Sequence, residues 1–235
     1  ADWTASARAH QGIEDFIRRD VLPFYGNTHD HHSLCGHQST AFREEARQII
    51  AQCTNAKMSI GDNEGGTSKD VVVFAGTGAT GATNKLVHIL GVAAAVQTSS
   101  LSSPPTTLPV ILVGPFEHHS NLLPWRETGS RIIRVVENEH GSLDLNDLEL
   151  RLQEIQVTKP PLIIGTFAAA SNVTGVLTDV DAVTALLHQY GALAVWDYAT
   201  AGPYVTMDMN PPGVNSSMTD VSLSKASNAL LIGFN

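Results

Sequence analysis

Short apolar runs recur along the chain and alternate with helical patterns. Each run is long enough for one strand, and a strand that is apolar throughout is typical of one buried on both faces. Helices between such strands imply a mainly parallel sheet covered on both sides. The sequence therefore predicts an α/β fold with three layers. The predicted strands are residues 71–74, 110–113, 132–136, 162–166, 192–196 and 221–224.

The N-terminal part of the chain carries two amphipathic helical patterns. Apolar residues recur at helical spacing from position 13 to 21 and again from 42 to 53, on either side of a polar loop. Cys53 falls on the apolar stripe of the second pattern, which predicts that it packs in a core. We expect residues 1–60 to form an N-terminal helical arm and residues 61–235 to form one large domain.

Net charge and cysteine content limit the partners and the compartment. The 235 residues include 14 Lys and Arg against 23 Asp and Glu, a formal net charge of −9. Nucleic acids and anionic membranes need clustered positive charge, so neither is expected as a partner. The two cysteines make no disulfide framework, nothing resembles a signal peptide, and no apolar run is long enough to cross a bilayer. These features predict an intracellular, cytoplasmic protein.

A glycine-rich turn follows the first predicted strand, in the run VVVFAGTGATG. Unpaired N–H groups and the dipole at a helix N-terminus bind phosphate at such a turn. Gly76, Gly78 and Gly81 match the GxGxxG pattern, so an NAD(P)-binding Rossmann domain is one alternative. A Rossmann site also needs an acidic residue about 20 positions further on, and none lies between Asp70 and Glu117. A smaller phosphorylated cofactor is therefore favoured, and a turn without phosphate stays open.

Polar residues follow several predicted strands, and ligands of parallel sheets lie beyond the carboxyl ends of the strands. Asp197 ends an apolar strand, where a buried carboxylate needs a cation or strong donors. The protonated ring nitrogen of pyridoxal phosphate is such a cation, whereas neighbouring backbone amides are the alternative partner. His118 could stack on the ring of that cofactor or lie in solvent. The polar clusters are residues 76–80, 117–119, 171–172, 197 and 222–225.

Six segments carry a resemblance to a known family. They are ADWTASAR, LPFYGNTH, GTGATGATNKLV, GPFEHHSNLLPWRE, AASNVTGVLTDV and VWDYATAGPYV. In this order the chain resembles the class V aminotransferase and cysteine desulfurase family of pyridoxal-phosphate enzymes, over almost its whole length. The resemblance implies the large domain of a fold-type-I enzyme, truncated at both ends and without its C-terminal domain. It also implies that the polar loop within residues 1–60 lies at an active site.

The resemblance assigns cofactor contacts to residues of this chain. It implies that Ala79 and Thr80 bind the phosphate and that His118 stacks on the ring. Asn172 would hydrogen-bond the phenolic oxygen, and Asp197 would pair with the ring nitrogen. The implied cofactor-binding residues are Gly78, Ala79, Thr80, His118, Asn172, Asp197, Thr200 and Ser222.

The chain departs from the family pattern at two positions. Thr200 stands where several relatives carry a Gln that touches the phenolic oxygen. Lys225 is the only lysine after Asp197 and is the implied attachment point of the cofactor, but it lacks the preceding His and the following glycines. Either Ser222 and Ser224 replace the usual Ser and His, or the sequence after Ser224 is unrelated to the family.

The residues that select the substrate are not among those matched. The family's C-terminal part carries an Arg that clamps the substrate carboxylate and, in desulfurases, a cysteine nucleophile that neither Cys35 nor Cys53 matches. The histidines around Cys35 suggest either a zinc site or an active-site wall. We expect these residues to form part of an active-site wall and to bind no metal. The residues concerned are His29, His31, His32, Cys35 and His37.

The resulting prediction is a pyridoxal-phosphate-dependent enzyme that acts on a small amino acid as a homodimer. The amino acid would displace Lys225 from the cofactor, and the freed lysine would move a proton. Lys225 and His118 are the predicted catalytic residues. Desulfuration, transamination and another lyase step stay open. The alternatives are the NAD(P)-binding domain and a truncated homologue without catalysis.

Overall fold

The computed structural model describes residues 8–28, 30, 32–58, 70–101, 107–202, 204–211 and 228–231. The chain forms two compact units, Ala1–Val73 and Phe74–Phe234. The predicted boundary between residues 60 and 61 falls outside the described residues, so the domain assignment stays a prediction. In the first unit, helix α1 (Gln11–Phe16) continues as a π-helical turn (Ile17–Val21) and a 3₁₀ turn (Leu22–Phe24), and a loop leads to helix α2 (Leu34–Cys53).

Helices α1 and α2 occupy the two predicted amphipathic stretches. The α2 helix begins after Ser33, whose hydroxyl accepts a hydrogen bond from the backbone N–H of Gly36 at 3.1 Å. The rings of Phe16 and Phe42 meet edge to face with centroids 6.1 Å apart. The predicted core position of Cys53 is wrong, because the last residue of α2 presents its side chain to solvent.

The second unit is built on a five-stranded parallel sheet with strand order β2-β1-β3-β4-β5. The strands are β1 (Val110–Val113), β2 (Arg131–Arg134), β3 (Ile163–Ala168), β4 (Leu193–Asp197) and β5 (Asn228–Leu231). The helices are α3 (Gly78–Ile89), α4 (Val92–Leu101), α5 (Leu123–Glu127), α6 (Leu145–Thr158) and α7 (Val180–Gln189). Among the described residues, no helix is long and apolar enough to cross a membrane.

Helices cover both faces of this sheet, so the predicted three-layer α/β fold is confirmed. On one face Leu112 and Ala194 share a core with α6 and α7. On the other face Ile111 and Val195 share a core with α3, α4 and α5. Successive strand residues point to opposite faces, and both faces are apolar because both are buried. The indole of Trp196 lies in the first of these cores, and the indole of Trp125 lies in the second.

One predicted strand differs from the structure. Residues 71–74 are not a strand, and Val71 and Val73 are 78% and 56% exposed. A strand forms only where an adjacent strand hydrogen-bonds its backbone N–H and C=O groups, and no described strand pairs with this run. The predicted strand 221–224 lies outside the described residues, whereas β5 pairs with β4 slightly later in the chain.

Helix α6 offers a direct test of this packing. Leu148 is fully buried and Leu150 is 51% exposed, so the same substitution can be compared at two positions of one helix. Leu148→Ala is expected to lower the free energy of unfolding by about 2–5 kcal/mol, because it leaves a cavity, and Leu150→Ala by less than about 1 kcal/mol. Urea unfolding monitored by circular dichroism measures both. Equal losses for the two variants would contradict the assigned core.

Candidate functional site at the carboxyl ends of the strands

The carboxyl ends of β1, β3 and β4 lie side by side at one edge of the sheet. The strand register places Val113 opposite Thr166 and Ala168 opposite Asp197. Polar residues therefore come together from three connections: Glu117 and His118 after β1, Ser171 and Asn172 after β3, and Asp197 at the end of β4. This is the edge at which parallel sheets bind ligands.

Asp197 is a buried carboxylate with few partners. Its side chain is 5% exposed and accepts a hydrogen bond from the backbone N–H of Ala199 at 2.9 Å. Within the described ranges, no lysine or arginine forms an ion pair with it. Burial raises the pKa of Asp197, while the Ala199 hydrogen bond and the charge of His118 act in the opposite direction. A cationic group at this position would favour the ionised carboxylate.

Glu117 is a second acid at the same edge. Its Oε1 accepts a hydrogen bond from the backbone N–H of Ala168 at 2.8 Å, and its Oε2 accepts one from the Asn121 amide at 2.6 Å. Burial raises the pKa of Glu117 to about 7, and the negative charge of Asp197 acts in the same direction. The hydrogen bonds limit this increase because they favour the charged form.

The tautomer of His118 follows from its hydrogen bonds. Its Nδ1 accepts a hydrogen bond from the backbone N–H of Ser120 at 3.2 Å and lies 2.8 Å from the Ser120 hydroxyl. A backbone N–H can only donate, so Nδ1 carries the lone pair and the neutral ring carries its proton on Nε2. The ring is exposed and caps the short 3₁₀ turn His119–Asn121.

The glycine turn leads directly into helix α3. Thr77 and Gly78 both have φ of +63°, the left-handed region, and α3 begins at Gly78. A Cβ atom at Gly81 would collide with the carbonyl oxygen of Gly76, so the turn closes only with glycine there. The N-terminal amides of α3 include those of Ala79 and Thr80. Helix α3 packs against the His119–Asn121 turn, which lies in the connection after β1.

The structure describes two of the other four predicted site residues. Asn172 is exposed in the turn after β3, and Thr200 is half-buried after β4. Ser222 and Lys225 lie outside the described residues, so their predicted roles stay predictions. The described residues contain no group of three metal-binding side chains, and two of the candidate zinc histidines, His29 and His31, are not among them.

Sequence reasoning assigned no role to Glu117 and did not consider Asn121. Both occur within the segment EHHSNLLPW, and the signal was an acid directly after an apolar strand with Asn four and Trp eight positions later. Their partners Ala168 and Thr166 are contributed by β3. Those contacts span about 50 positions of the chain, so spacing alone does not reveal them.

A family model described as aminotransferase class-V matches residues 1–217. The chain belongs to this family. A probable cysteine desulfurase of Streptomyces coelicolor is 24% identical over 212 residues, which are 88% of this chain and 45% of that protein. A probable cysteine desulfurase of Vibrio cholerae is 28% identical over 213 residues, 88% of this chain and 46% of that protein.

A solved structure, the apo cysteine desulfurase from Thermococcus onnurineus, superimposes with a TM-score of 0.67 at 21% identity, covering 88% of this chain and 46% of that one. At this identity the likeness shows the fold alone. The chain thus spans less than half the length of these curated relatives and of this structure. The predicted family is confirmed, and the NAD(P)-binding alternative is not favoured.

The raised pKa of Glu117 predicts a pH-dependent stability. Between the usual value of 4.5 and the folded value of about 7 the folded chain binds more protons than the unfolded chain, so stability falls as pH rises through this window. The loss is up to about 3 kcal/mol by pH 8. Glu117→Gln is expected to flatten this part of the profile, which urea unfolding at a series of pH values measures.

Glu127→Gln is the matched control for this measurement, because it makes the same charge change at an exposed position of α5. It is expected to keep the wild-type slope. A wild-type profile that is level from pH 5 to pH 8 would show that the Glu117 carboxyl is ionised normally in the folded chain.

Proposed function

We propose that this chain is the cofactor-binding large domain of a pyridoxal-phosphate-dependent enzyme that acts on an amino acid. The observation that carries the proposal is Asp197, a buried carboxylate at a strand end, in a chain of the aminotransferase class-V family. The ring nitrogen of the cofactor supplies the cation that Asp197 lacks among the described residues. The phosphate suits the N-terminus of α3.

The donor set of this edge fits the cofactor in chemical type. Gly78, Ala79 and Thr80 would hold the phosphate, because a helix N-terminus offers unpaired N–H groups and Thr80 adds a hydroxyl. His118 would cover the ring with its exposed imidazole face. The remaining proposed contacts are Asn172, Thr200 and Ser222.

Pyridoxal phosphate supplies an electron sink when it is bound. The task of Asp197 is to keep the ring nitrogen protonated, which its burial strengthens because the attraction between opposite charges grows as water is excluded. His118 keeps water from the ring face. Lys225 would hold the cofactor before substrate arrives and would then take and return a proton as a general base.

Cysteine is the substrate that we favour among amino acids, since the relatives that match this chain include probable cysteine desulfurases. We also propose a homodimer, as the resemblance implies. Neither the substrate nor the dimer rests on a contact in the described residues. The intracellular, cytoplasmic location likewise stays a prediction.

Cofactor binding tests the proposal without any assay of turnover. The purified 235-residue chain is titrated with pyridoxal phosphate, reduced with borohydride and mapped by peptide mass spectrometry. We expect visible absorbance and a label on Lys225, which Lys225→Ala removes and Lys57→Ala, at an exposed position of the first unit, retains. A chain that stays colourless at saturating cofactor would contradict the proposal, and saturable binding without a label would favour the non-catalytic homologue.

Substitution of Asp197 tests the observation that carries the proposal. Asp197→Asn removes the charge that faces the ring nitrogen, so the dissociation constant for pyridoxal phosphate is expected to rise about tenfold to a hundredfold. Asp181→Asn makes the same change at an exposed position in the first turn of α7 and is expected to bind as the wild type does. Absorbance titration measures both, and equal affinities would remove Asp197 from the site.

A further inference from the structure

A chain of hydrogen-bonded polar side chains runs from helix α5 to strand β3 and to the loop after β1. The Trp125 indole N–H donates to Asn121 Oδ1 at 3.2 Å, and the Thr166 hydroxyl donates to the same oxygen at 2.7 Å. Trp125, Asn121 and Thr166 are all fully buried. Asn121 Nδ2 then donates to Glu117 Oε2 at 2.6 Å. This relay, defined by Trp125, Asn121, Thr166 and Glu117, connects the loop after β1 to the sheet.

The relay has only one possible direction. An indole N–H can donate but not accept, so the amide oxygen of Asn121 must face Trp125 and its NH₂ group must face Glu117. The other carboxylate oxygen of Glu117 accepts from the backbone N–H of Ala168 at 2.8 Å. Glu117 therefore has to accept at both oxygens. A glutamine in its place would set one N–H donor against another.

The relay ends beside Asp197. Ala168, which donates to Glu117, is the strand partner of Asp197 in the parallel ladder. His118, the residue after Glu117, precedes the short turn His119–Asn121 and accepts a hydrogen bond from the Ser120 backbone N–H within it. Room for the Glu117 carboxylate exists because residue 114 is glycine, since a Cβ atom there would lie 2.7 Å from Oε1.

We propose that Glu117 is a positioning residue: oriented by Trp125 through Asn121, it ties its loop to the end of β3 and so fixes the next residue, His118, at the edge of the sheet where Asp197 ends β4. Glu117 acts through His118 and does not touch the reacting atoms. Its effect on cofactor affinity rests on the proposed function, because His118 is the residue proposed to cover the ring. Its effect on the position of His118 is independent of the proposed function, because it concerns the chain without cofactor.

Two complementary substitutions test the relay. Glu117→Gln sets two donors face to face, and Asn121→Asp sets two carboxylates face to face, so each disrupts the same hydrogen bond. The double variant restores it in the reverse direction, because the introduced glutamine would donate to the introduced aspartate while the bonds from Trp125, Thr166 and Ala168 remain possible. Thermal melting of all three, without cofactor, reports whether each variant folds.

The imidazole resonances of His118 report its position in the cofactor-free chain. In ¹H–¹⁵N spectra assigned with His118→Gln, Glu117→Gln is expected to shift the His118 signals, and the double variant is expected to return them to the wild-type position. His140, exposed between β2 and α6, is expected to stay unchanged throughout. A purely structural role for Glu117 would lower the melting temperature without shifting the His118 signals.

Cofactor titration of the same variants gives the functional consequence. The dissociation constant for pyridoxal phosphate is expected to rise about tenfold in Glu117→Gln and to return to within about threefold of wild type in the double variant. His118 signals that do not move in Glu117→Gln, or that stay displaced in a double variant with wild-type melting, would overturn the positioning role. A wild-type chain that does not bind the cofactor would overturn the proposed function, while the resonances of His118 would still decide the role of Glu117.

Discussion

The candidate site depends on the parallel pairing of β3 with β4, which sets Ala168 opposite Asp197. Both strands are apolar and buried, so their carboxyl ends bring main-chain N–H groups and no basic side chain to the edge of the sheet. Two of those N–H groups donate to carboxylates, Ala168 to Glu117 and Ala199 to Asp197. The result is a pair of acids in a partly dry environment, where the charge of Asp197 raises the cost of ionising Glu117.

The two carboxylates differ in their hydrogen-bond partners. Glu117 accepts hydrogen bonds at both carboxylate oxygens, so N–H groups of the protein stabilise its negative charge. Among the described residues Asp197, which is buried, accepts a hydrogen bond from the backbone N–H of Ala199, and a buried carboxylate with so few donors favours a cationic partner. The difference follows from position, because Glu117 lies on a loop that can fold back to the sheet whereas Asp197 ends a strand.

Local patterns explain why much of the fold could be predicted. Apolar runs located β1 to β4 within one or two residues, since burial on both faces requires every residue of a central strand to be apolar. The run at residues 71–74 has the same composition and is not a strand, because pairing depends on a neighbour that the run itself does not encode. The predicted core position of Cys53 is wrong for a related reason. An apolar stripe on a helix does not show how far along the helix its packing partner extends.

The sequence by itself determined the α/β class, the family and the chemical types of the predicted site residues, because periodicity, motif order and residue chemistry are local properties. Tertiary structure decided which of those residues meet. It joined Glu117 to Ala168, about 50 positions later in the chain, and set Ala168 beside Asp197 in the sheet. Only the strand register makes those contacts, since pairing in a parallel sheet brings together chain segments whose separation in sequence carries no information about their distance.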